Sequence, residues 1–179
     1  MGRSNHGPNR HQSRAQGADD EFFGAVSFAV GRRPAYARIR DLFIDEGKLI
    51  RNSSERPEVS SVDEFIDSRQ RLVDSGALTS FEEVEFAETT EVFGNVAHRF
   101  STYEKRGTMQ GEAIEGRGVI STQFIRTPSG WKMSSMAWDD ERPGLAIPDR
   151  YRSSTTSSCG CEQQISALPS AGGSTGSGL

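Results

Sequence analysis

The spacing of apolar residues follows helical periodicity in the first part of the chain. Between residues 20 and 46, apolar positions recur every three or four residues, which is typical of amphipathic helices. Asp19 and Asp20 can cap a first helix, and Pro34, after the Gly31-Arg-Arg break, suits the first turn of a second. The apolar positions are Phe22, Phe23, Val26 and Val30 in the first helix and Tyr36, Ile39, Leu42 and Phe43 in the second.

A short strand and a third helix follow. The segment Lys48-Leu-Ile-Arg51 predicts the strand. Ser61-Val-Asp-Glu64 has the spacing of a capping box, in which Ser61 and Glu64 satisfy each other's backbone amides. The helix that it opens carries Phe65, Ile66, Arg69 and Leu72 on one side, and Gly76 closes it.

From Phe81 onward the apolar period is two, which predicts long strands. Residues 81–93, 95–106, about 113–127 and 131–141 form four successive antiparallel strands in this prediction, joined by turns at Phe93-Gly-Asn95 and Pro128-Ser-Gly130. A turn centred on Gly94 places Glu82 and Glu83 opposite Arg106 and Lys105, and opposite charges in register support the pairing. The order of elements predicts an α+β fold with helices on one face of a single sheet.

Composition changes sharply at both ends of the chain. Residues 1–19 contain no aromatic residue, and 16 of the 27 residues in 153–179 are Ser, Thr or Gly. Such segments bury too little apolar surface to offset the entropy of ordering the backbone. We therefore expect one domain over residues 20–152, flanked by disordered tails over residues 1–19 and 153–179.

Charge and hydropathy narrow the class of protein. The chain has 21 Lys+Arg and 25 Asp+Glu, so it lacks the basic excess typical of nucleic-acid binders. It has no apolar run of about 18 residues and no apolar segment near Met1, so we expect no membrane span, no secretory signal and a cytoplasmic protein. The two cysteines, Cys159 and Cys161, are too few for a disulfide scaffold or a four-ligand zinc site.

The order of these elements resembles the NTF2-like superfamily, in its SnoaL and ketosteroid-isomerase cone form. The residues that carry the resemblance are Tyr36, Leu42-Phe43, Lys48-Leu-Ile50, Val62-Asp-Glu-Phe65, Gly94-Asn-Val-Ala-His98, Ser101-Thr-Tyr103, Gly130-Trp-Lys-Met133 and Met136-Ala-Trp138. The resemblance spans essentially all of residues 20–152. It implies a cone in which N-terminal helices pack on the concave face of a strongly curved, mainly antiparallel sheet.

The chemistry known in this superfamily does not transfer to the chain. In ketosteroid isomerase, a Tyr and a carboxylic acid stabilise the oxyanion and an Asp is the base. By rough alignment, these positions fall near Ser27 or Phe28, near Thr122 and near Arg51. Scytalone-dehydratase-like members use two histidines, whereas His98 is the sole histidine of the predicted domain. Function must therefore come from the site and not from the fold.

Six residues are candidates for a cavity site. His98 is the candidate catalytic acid or base, with a hydrogen-bonded structural histidine as the alternative. Tyr36, Tyr103, Gln123 and Trp138 are candidate ligand-binding residues on elements that line the cavity in this fold. Core packing is the alternative for Tyr36 and Trp138, and an exposed or interface position is the alternative for Tyr103 and Gln123. Alternation alone leaves open which face of the sheet is concave.

Arg117 is the candidate residue for an anionic ligand. It lies in Glu115-Gly-Arg-Gly118, where two glycines suggest a bulge or a close approach, and the alternative is a sheet bend with an arginine that is solvated or paired with a carboxylate such as Glu141. The run Asp139-Asp-Glu141 is unsuited to a metal, because consecutive strand residues point to opposite faces. We expect neither a metal nor another cofactor.

The sequence leaves two functions open. The first is a small-molecule cavity protein, either a ligand binder or a cofactor-free lyase or isomerase. The alternative is a non-catalytic module for homodimerisation or for binding a protein partner, since no paired acid and base is evident. In either case we expect a homodimer through the outer sheet face, because apolar residues occur at both parities of the strands and the helices cover only one face. On one strand these residues are Val84 and Phe86 against Phe81 and Phe93, and on another they are Ile120 and Phe124 against Val119 and Ile125.

Overall fold

The computed structural model describes residues 10–152. Two α-helices, two short 3-10 helices and six strands make up this part of the chain. The helices are α1 (Arg10–Val26) and α2 (Val62–Asp74), and the 3-10 helices span Tyr36–Leu42 and Asp149–Tyr151. The strands are β1 (Phe43–Arg51), β2 (Glu58–Ser61), β3 (Leu78–Phe93), β4 (Val96–Met109), β5 (Glu112–Thr127) and β6 (Gly130–Asp140).

The strands form one curled sheet in the order β2-β1-β6-β5-β4-β3. All neighbours are antiparallel except β1 and β6, which are parallel. The α+β class and the mainly antiparallel sheet are therefore confirmed. Within residues 10–152, no helix has both the length and the apolar character that crossing a bilayer requires.

The N-terminal helix begins earlier than the sequence predicts. Helix α1 starts at Arg10, so the predicted start at Asp19 and Asp20 is wrong, and part of the predicted tail is helical. Buried Phe22, Phe23 and Val26 fix the last turns, and good helix formers upstream allow the helix to continue towards the N-terminus. Residues 1–9 and 153–179 lie outside the described part of the chain, so the proposed disordered tails and domain limits remain predictions.

The second predicted helix is shorter than expected, and the strand after it is longer. Tyr36, Ile39 and Leu42 form a 3-10 helix, whereas Phe43 already belongs to β1, which runs through Arg51. Strand β2 was not anticipated at all. Its sequence, Glu-Val-Ser-Ser, has only one apolar residue and carries no clear strand signal.

Two local signals, the capping box at Ser61 and the turn at Gly94, are present as predicted. The Ser61 hydroxyl accepts a hydrogen bond from the Glu64 amide at 3.2 Å, and the Glu64 carboxylate accepts one from the Ser61 amide at 2.7 Å. Gly94 has a φ of +57° in the β3–β4 turn, a left-handed conformation that favours glycine. The predicted register follows from that turn, since Glu82 pairs with Arg106 and Glu83 with Lys105.

The helices cover one face of the curled sheet, which we call the inner face. Its core includes Phe22 of α1, Ile39 of the 3-10 helix and Ile66 of α2, packed against Tyr103 and Met136 of the sheet. The opposite, outer face is covered in part by the C-terminal segment. There the Tyr151 ring lies 4.7 Å from that of Phe100, and the Tyr151 carbonyl accepts a 2.5 Å hydrogen bond from Thr102.

Candidate functional site

A cavity of about 310 Å³ lies between the inner face of the sheet and the helices. Most of its wall is apolar and comes from both layers. Representative apolar lining residues are Phe22, Val26, Phe65, Ile120, Met136 and Trp138. The polar and charged lining residues are Tyr36, Arg51, Arg69, Glu83, Tyr103 and Lys105. An apolar cavity with a few polar groups is the usual form of a small-molecule site.

Strand alternation brings three of these polar groups together. Glu83 of β3 and Lys105 of β4 are cross-strand partners, and Tyr103 lies two residues from Lys105 on the same face. Arg69 reaches the cavity from α2, where it shares the apolar side of the helix with Phe65. Its guanidinium carbon lies 5.3 Å from the centre of the Phe65 ring, a cation–π distance.

Tyr103, Lys105 and Asp140 form a hydrogen-bonded cluster beside the cavity. Asp140 Oδ1 accepts one 2.6 Å hydrogen bond from the Tyr103 hydroxyl and another from Lys105 Nζ. Tyr103 and Asp140 lie on either side of Gly118 in the β4–β5–β6 register, so the tyrosine crosses β5 at a residue without a side chain. A Cβ atom at Gly118 would collide with the Tyr103 hydroxyl and the Asp139 carbonyl.

Glu83 is the acid–base candidate that the geometry provides. Burial raises the pKa of its carboxyl to about 7, while the positive charges of Lys105 and Arg69 oppose the rise and Asp140 adds to it. The Glu83 backbone is held by Ser27, the residue that follows α1. Ser27 Oγ accepts a hydrogen bond from the Glu83 amide at 3.0 Å and donates one to the Glu83 carbonyl at 3.3 Å. A carboxyl that titrates near neutrality can both accept and return a proton.

Tyr36 and Arg69 supply uncommitted donors to the same cavity. Burial raises the pKa of the Tyr36 hydroxyl and lowers the pKa of the Arg69 guanidinium, and each partly offsets the shift of the other. Among the side chains that the structure describes, neither group has a hydrogen-bond or ion-pair partner. Both groups can therefore donate to a bound molecule, and donors of this kind stabilise developing negative charge.

Three of the six sequence candidates line the cavity and three do not. Tyr36, Tyr103 and Trp138 face it. His98, Arg117 and Gln123 lie on the outer face. On β4, odd-numbered residues such as Tyr103 point inward, so His98 points outward. On β5, Arg117 and Gln123 are the cross-strand partners of the outward-pointing Glu104 and His98.

The outer-face candidates have local partners of their own. His98 Nε2 lies 3.1 Å from Ser121 Oγ, and Gln123 is its cross-strand neighbour. Arg117 forms a 2.7 Å ion pair with Glu104 and lies about half-exposed. The expectation that His98 is the catalytic group of the cavity, with Arg117 and Gln123 among its ligand contacts, is therefore corrected. These residues belong to the opposite side of the sheet.

Sequence patterns alone do not identify Glu83, Lys105, Arg69 and Asp140 as site residues. The pairing of Glu83 with Lys105 across two strands supports the predicted register but does not by itself indicate a site. Arg69 was placed on the apolar side of its helix, and a charged residue on such a face was the available signal of a cavity. The role of Asp140 depends on its contact with Tyr103 across β5, which no local pattern shows.

The carboxylates near the end of β6 are divided between the two faces. Asp140 is bound to Tyr103 and Lys105, whereas Asp139 forms a 2.6 Å ion pair with Arg142. Within residues 10–152, no group of three or more His, Cys, Asp or Glu side chains is arranged to hold a metal ion.

Comparisons with known proteins identify the fold. The sequence matches no protein-family model and no curated protein. An NTF2-like superfamily protein from Salmonella enterica has a TM-score of 0.61 at 12% identity, covering 76% of this chain and 96% of its own. An NTF2-like protein with a cystatin-like fold from Novosphingobium aromaticivorans has a TM-score of 0.57 at 13% identity, covering 79% and 86%.

A third similar structure belongs to an enzyme. Hexachlorocyclohexane dehydrochlorinase LinA-type3 from Novosphingobium barchaimii has a TM-score of 0.60 at 12% identity, covering 73% of this chain and 86% of its own. These similarities define the class of structure. The chain has the NTF2-like α+β cone fold, with helices on the concave face of a curled sheet, as the resemblance implied.

Proposed function

We propose that the chain binds a small, largely apolar molecule in this cavity and catalyses a cofactor-free proton transfer, with Glu83 as the base. One observation carries the proposal: a carboxyl group with a pKa of about 7 lines a cavity that is otherwise mostly apolar. Strongly shifted acids in clefts are common at catalytic sites, because catalysis of proton transfer is most efficient when the pKa is near the working pH.

The proposed reaction is an isomerisation or an elimination. Glu83 removes a proton from carbon, and the electron pair moves towards an adjacent carbonyl or expels a leaving group. In the first case the protonated Glu83 returns the proton to another carbon, and in the second it releases the proton after the product leaves. Tyr36 donates a hydrogen bond to the negative charge that develops, and Arg69 is a further uncommitted donor to the bound molecule. A dehydrochlorinase among proteins of the same fold supports an elimination as one of the two outcomes.

The Tyr103–Asp140–Lys105 cluster positions and tunes the base. Lys105 is the cross-strand partner of Glu83, and its bond to Asp140 fixes its ammonium group. Lys105 lowers the Glu83 pKa and Asp140 raises it, so the two charges of the pair partly cancel in their effect on that pKa. We assign these residues to positioning, since Tyr103 and Lys105 are already committed to Asp140.

The test uses 5-nitrobenzisoxazole, a small neutral aromatic molecule whose ring opens when a base removes its single reactive C–H proton. We expect the protein to accelerate this reaction with a rate that rises through a pH of about 7. Glu83→Gln should lower the rate about 100-fold or more. The matched control is Glu82→Gln, because Glu82 pairs with Arg106 on the outer side of the same strand. No acceleration, or an equal rate in Glu83→Gln, would contradict the proposal.

A second function rests on a different observation. Val84, Phe93 and Val96 are exposed hydrophobic residues on β3 and β4, and such surfaces are typical of association sites. A non-catalytic homodimerisation module therefore remains the alternative proposal. It would be favoured if the protein dimerises and the benzisoxazole reaction is independent of Glu83.

A further inference from the structure

Several arginines in the described part of the chain pair with an acidic side chain, whereas the partly buried Arg69 does not. Arg40 forms a 2.6 Å ion pair with Asp63, Arg117 a 2.7 Å ion pair with Glu104, and the buried Arg99 an ion pair with Glu85. Within the described part of the chain, Arg69 makes no ion pair. Its guanidinium instead forms a cation–π contact with the ring of Phe65. Its guanidinium nonetheless lies in the cavity wall.

This arrangement is unfavourable unless something else satisfies the guanidinium. Arg69 is partly buried, and withdrawing a charged group from water costs free energy when no opposite charge or hydrogen bond replaces the solvent. Burial also lowers its pKa, which shows that its surroundings disfavour the charged form. Glu83 lines the same cavity and raises the Arg69 pKa when it is ionised, but with a pKa of about 7 it carries only part of a charge near neutral pH. A negatively charged ligand group would remove the remaining cost.

The other cations near the cavity are already committed. Lys105 is bound to Asp140, and Arg51 lies at 3.9 Å from Glu58 and donates a hydrogen bond to Ser53 at 2.9 Å. One free guanidinium therefore matches one negative charge. Its planar pair of N–H donors suits a carboxylate, whereas a phosphate dianion would require further uncommitted cations.

We infer that Arg69 binds the carboxylate of the cavity's ligand, so that the protein acts on small monocarboxylic acids with an apolar, aryl-like body. The aromatic rings of Phe65 and Trp138, 6.1 Å apart, would contact that body, and the free Tyr36 hydroxyl would remain the donor to the negative charge that develops in the reaction. The inference rests on the proposed function, because it names the class of molecule that Glu83 would deprotonate.

The experiment compares a carboxylate with its neutral isostere. Binding of trans-cinnamate and of trans-cinnamamide to the full chain is measured by calorimetry, with tryptophan fluorescence as a second readout, because Trp138, one of the two tryptophans, lines the cavity. We expect cinnamate to bind at least tenfold more tightly than the amide, since hydrogen bonds to charged groups are typically worth roughly 10–150-fold in affinity. Arg69→Gln should lower cinnamate affinity by about that factor and change cinnamamide affinity less than about twofold.

Two further variants make the test specific. Arg71→Gln is the matched control, because Arg71 lies on the same helix but is exposed, and it should leave both affinities unchanged. Arg69→Lys keeps the charge but not the planar pair of donors, so its cinnamate affinity should fall between those of the wild type and Arg69→Gln. Arg69→Lys also preserves the test if the glutamine variant does not fold.

Several results would overturn the inference. These are equal binding of the acid and the amide, an equal loss of both in Arg69→Gln, or binding of neither probe by the wild type. The failure of this inference is distinguishable from the failure of the proposed function. The benzisoxazole is neutral and tests Glu83, so a protein that opens it but shows no preference for cinnamate would retain the function and lose the carboxylate assignment.

Discussion

Tyr103 donates a 2.6 Å hydrogen bond to the Asp140 carboxylate across the intervening strand β5, directly over Gly118. The contact joins β4 to β6 without passing through a side chain of β5. It also fixes the carboxylate that holds Lys105 near Glu83. The geometry of the base therefore depends on the absence of a side chain at Gly118, which is not itself among the residues that line the cavity.

We predict that Gly118→Ala destabilises the protein and disturbs the site. The added Cβ would overlap the Tyr103 hydroxyl and the Asp139 carbonyl, so the tyrosine must move away from Asp140. We expect a loss of about 1–3 kcal/mol in the free energy of unfolding, measured by denaturant titration. Gly116→Ala is the control, because its Cβ would meet only the flexible Lys105 side chain, at 3.2 Å. Equal losses in the two variants would contradict this account.

A second prediction concerns the dependence of stability on pH. The Glu83 pKa is about 7 in the folded protein against an ordinary value of 4.5, so between these values the folded state holds a proton that the unfolded state has lost. Stability from this group is therefore complete below about pH 4.5, falls as pH rises to about 7, and stays low above it. The decrease amounts to at most about 3 kcal/mol.

Glu83→Gln should remove that decrease, because glutamine stays neutral. We expect the variant to be more stable than the wild type at pH 8 and close to it at pH 4.5, as measured by denaturant titration at each pH. Glu82→Gln controls for the loss of a carboxylate from β3 at a site with an ordinary ion pair to Arg106. A stability difference between wild type and Glu83→Gln that does not change with pH would show that Glu83 titrates normally.

The sequence predicted local features of the fold better than their extent. The capping box at Ser61 and the turn at Gly94 depend on neighbouring residues alone, and both are present as expected. The length of α1 and the existence of β2 depend on tertiary packing and on pairing with β1, which sequence periodicity does not report. The weak apolar patterns of the first half of α1 and of β2 accordingly gave no signal of either.

Strand parity was the main obstacle to predicting the site. An extra residue in β3, Phe86, lies between the paired positions Glu85 and Ala87 and reverses the alternation beyond it. Phe81 therefore lines the cavity, whereas Phe93, which has the same odd parity, is 86% exposed. On β4, alternation alone does not show which residues face the cavity, so His98 is a candidate from the sequence. The position of the helices shows that Tyr103 faces inward and His98 does not.

The expected homodimer remains a prediction, and the structure restricts the surface available to it. The middle of the outer face is covered by the chain itself, through Tyr151 on Phe100 and Thr102. Exposed apolar residues remain at the β3–β4 turn, where Phe93 and Val96 are cross-strand partners. We therefore expect any dimer to involve this end of the sheet.

Light scattering at micromolar concentration should give the mass of a dimer for the wild type. Val96→Asp should shift it to the monomer, because a buried unpaired carboxylate opposes association. Val30→Asp is the control, since Val30 is 75% exposed but lies outside the sheet. A monomeric wild type, or a Val96→Asp variant that remains fully dimeric, would show that this surface does not mediate association.

The last prediction tests whether the Lys105–Asp140 pair tunes Glu83. Lys105 lowers the Glu83 pKa and Asp140 raises it, so neutralising one partner should shift the pKa in the direction opposite to neutralising the other. In protein labelled with ¹³C at glutamate, assigned by comparison with Glu83→Gln, the carboxyl signal of Glu83 should titrate near pH 7 in the wild type. Lys105→Gln should raise that midpoint, and Asp140→Asn should lower it towards the ordinary value of 4.5.

The same shifts should be visible in catalysis, because the rate of benzisoxazole opening follows the ionised fraction of the base. The lower limb of the pH–rate profile should move to higher pH in Lys105→Gln and to lower pH in Asp140→Asn. Arg106→Gln serves as the control, since Arg106 is exposed and pairs with Glu82 on the other side of β4. If both cluster variants shift Glu83 in the same direction, the pair acts by holding the local structure, and its charges do not set the acidity of the base.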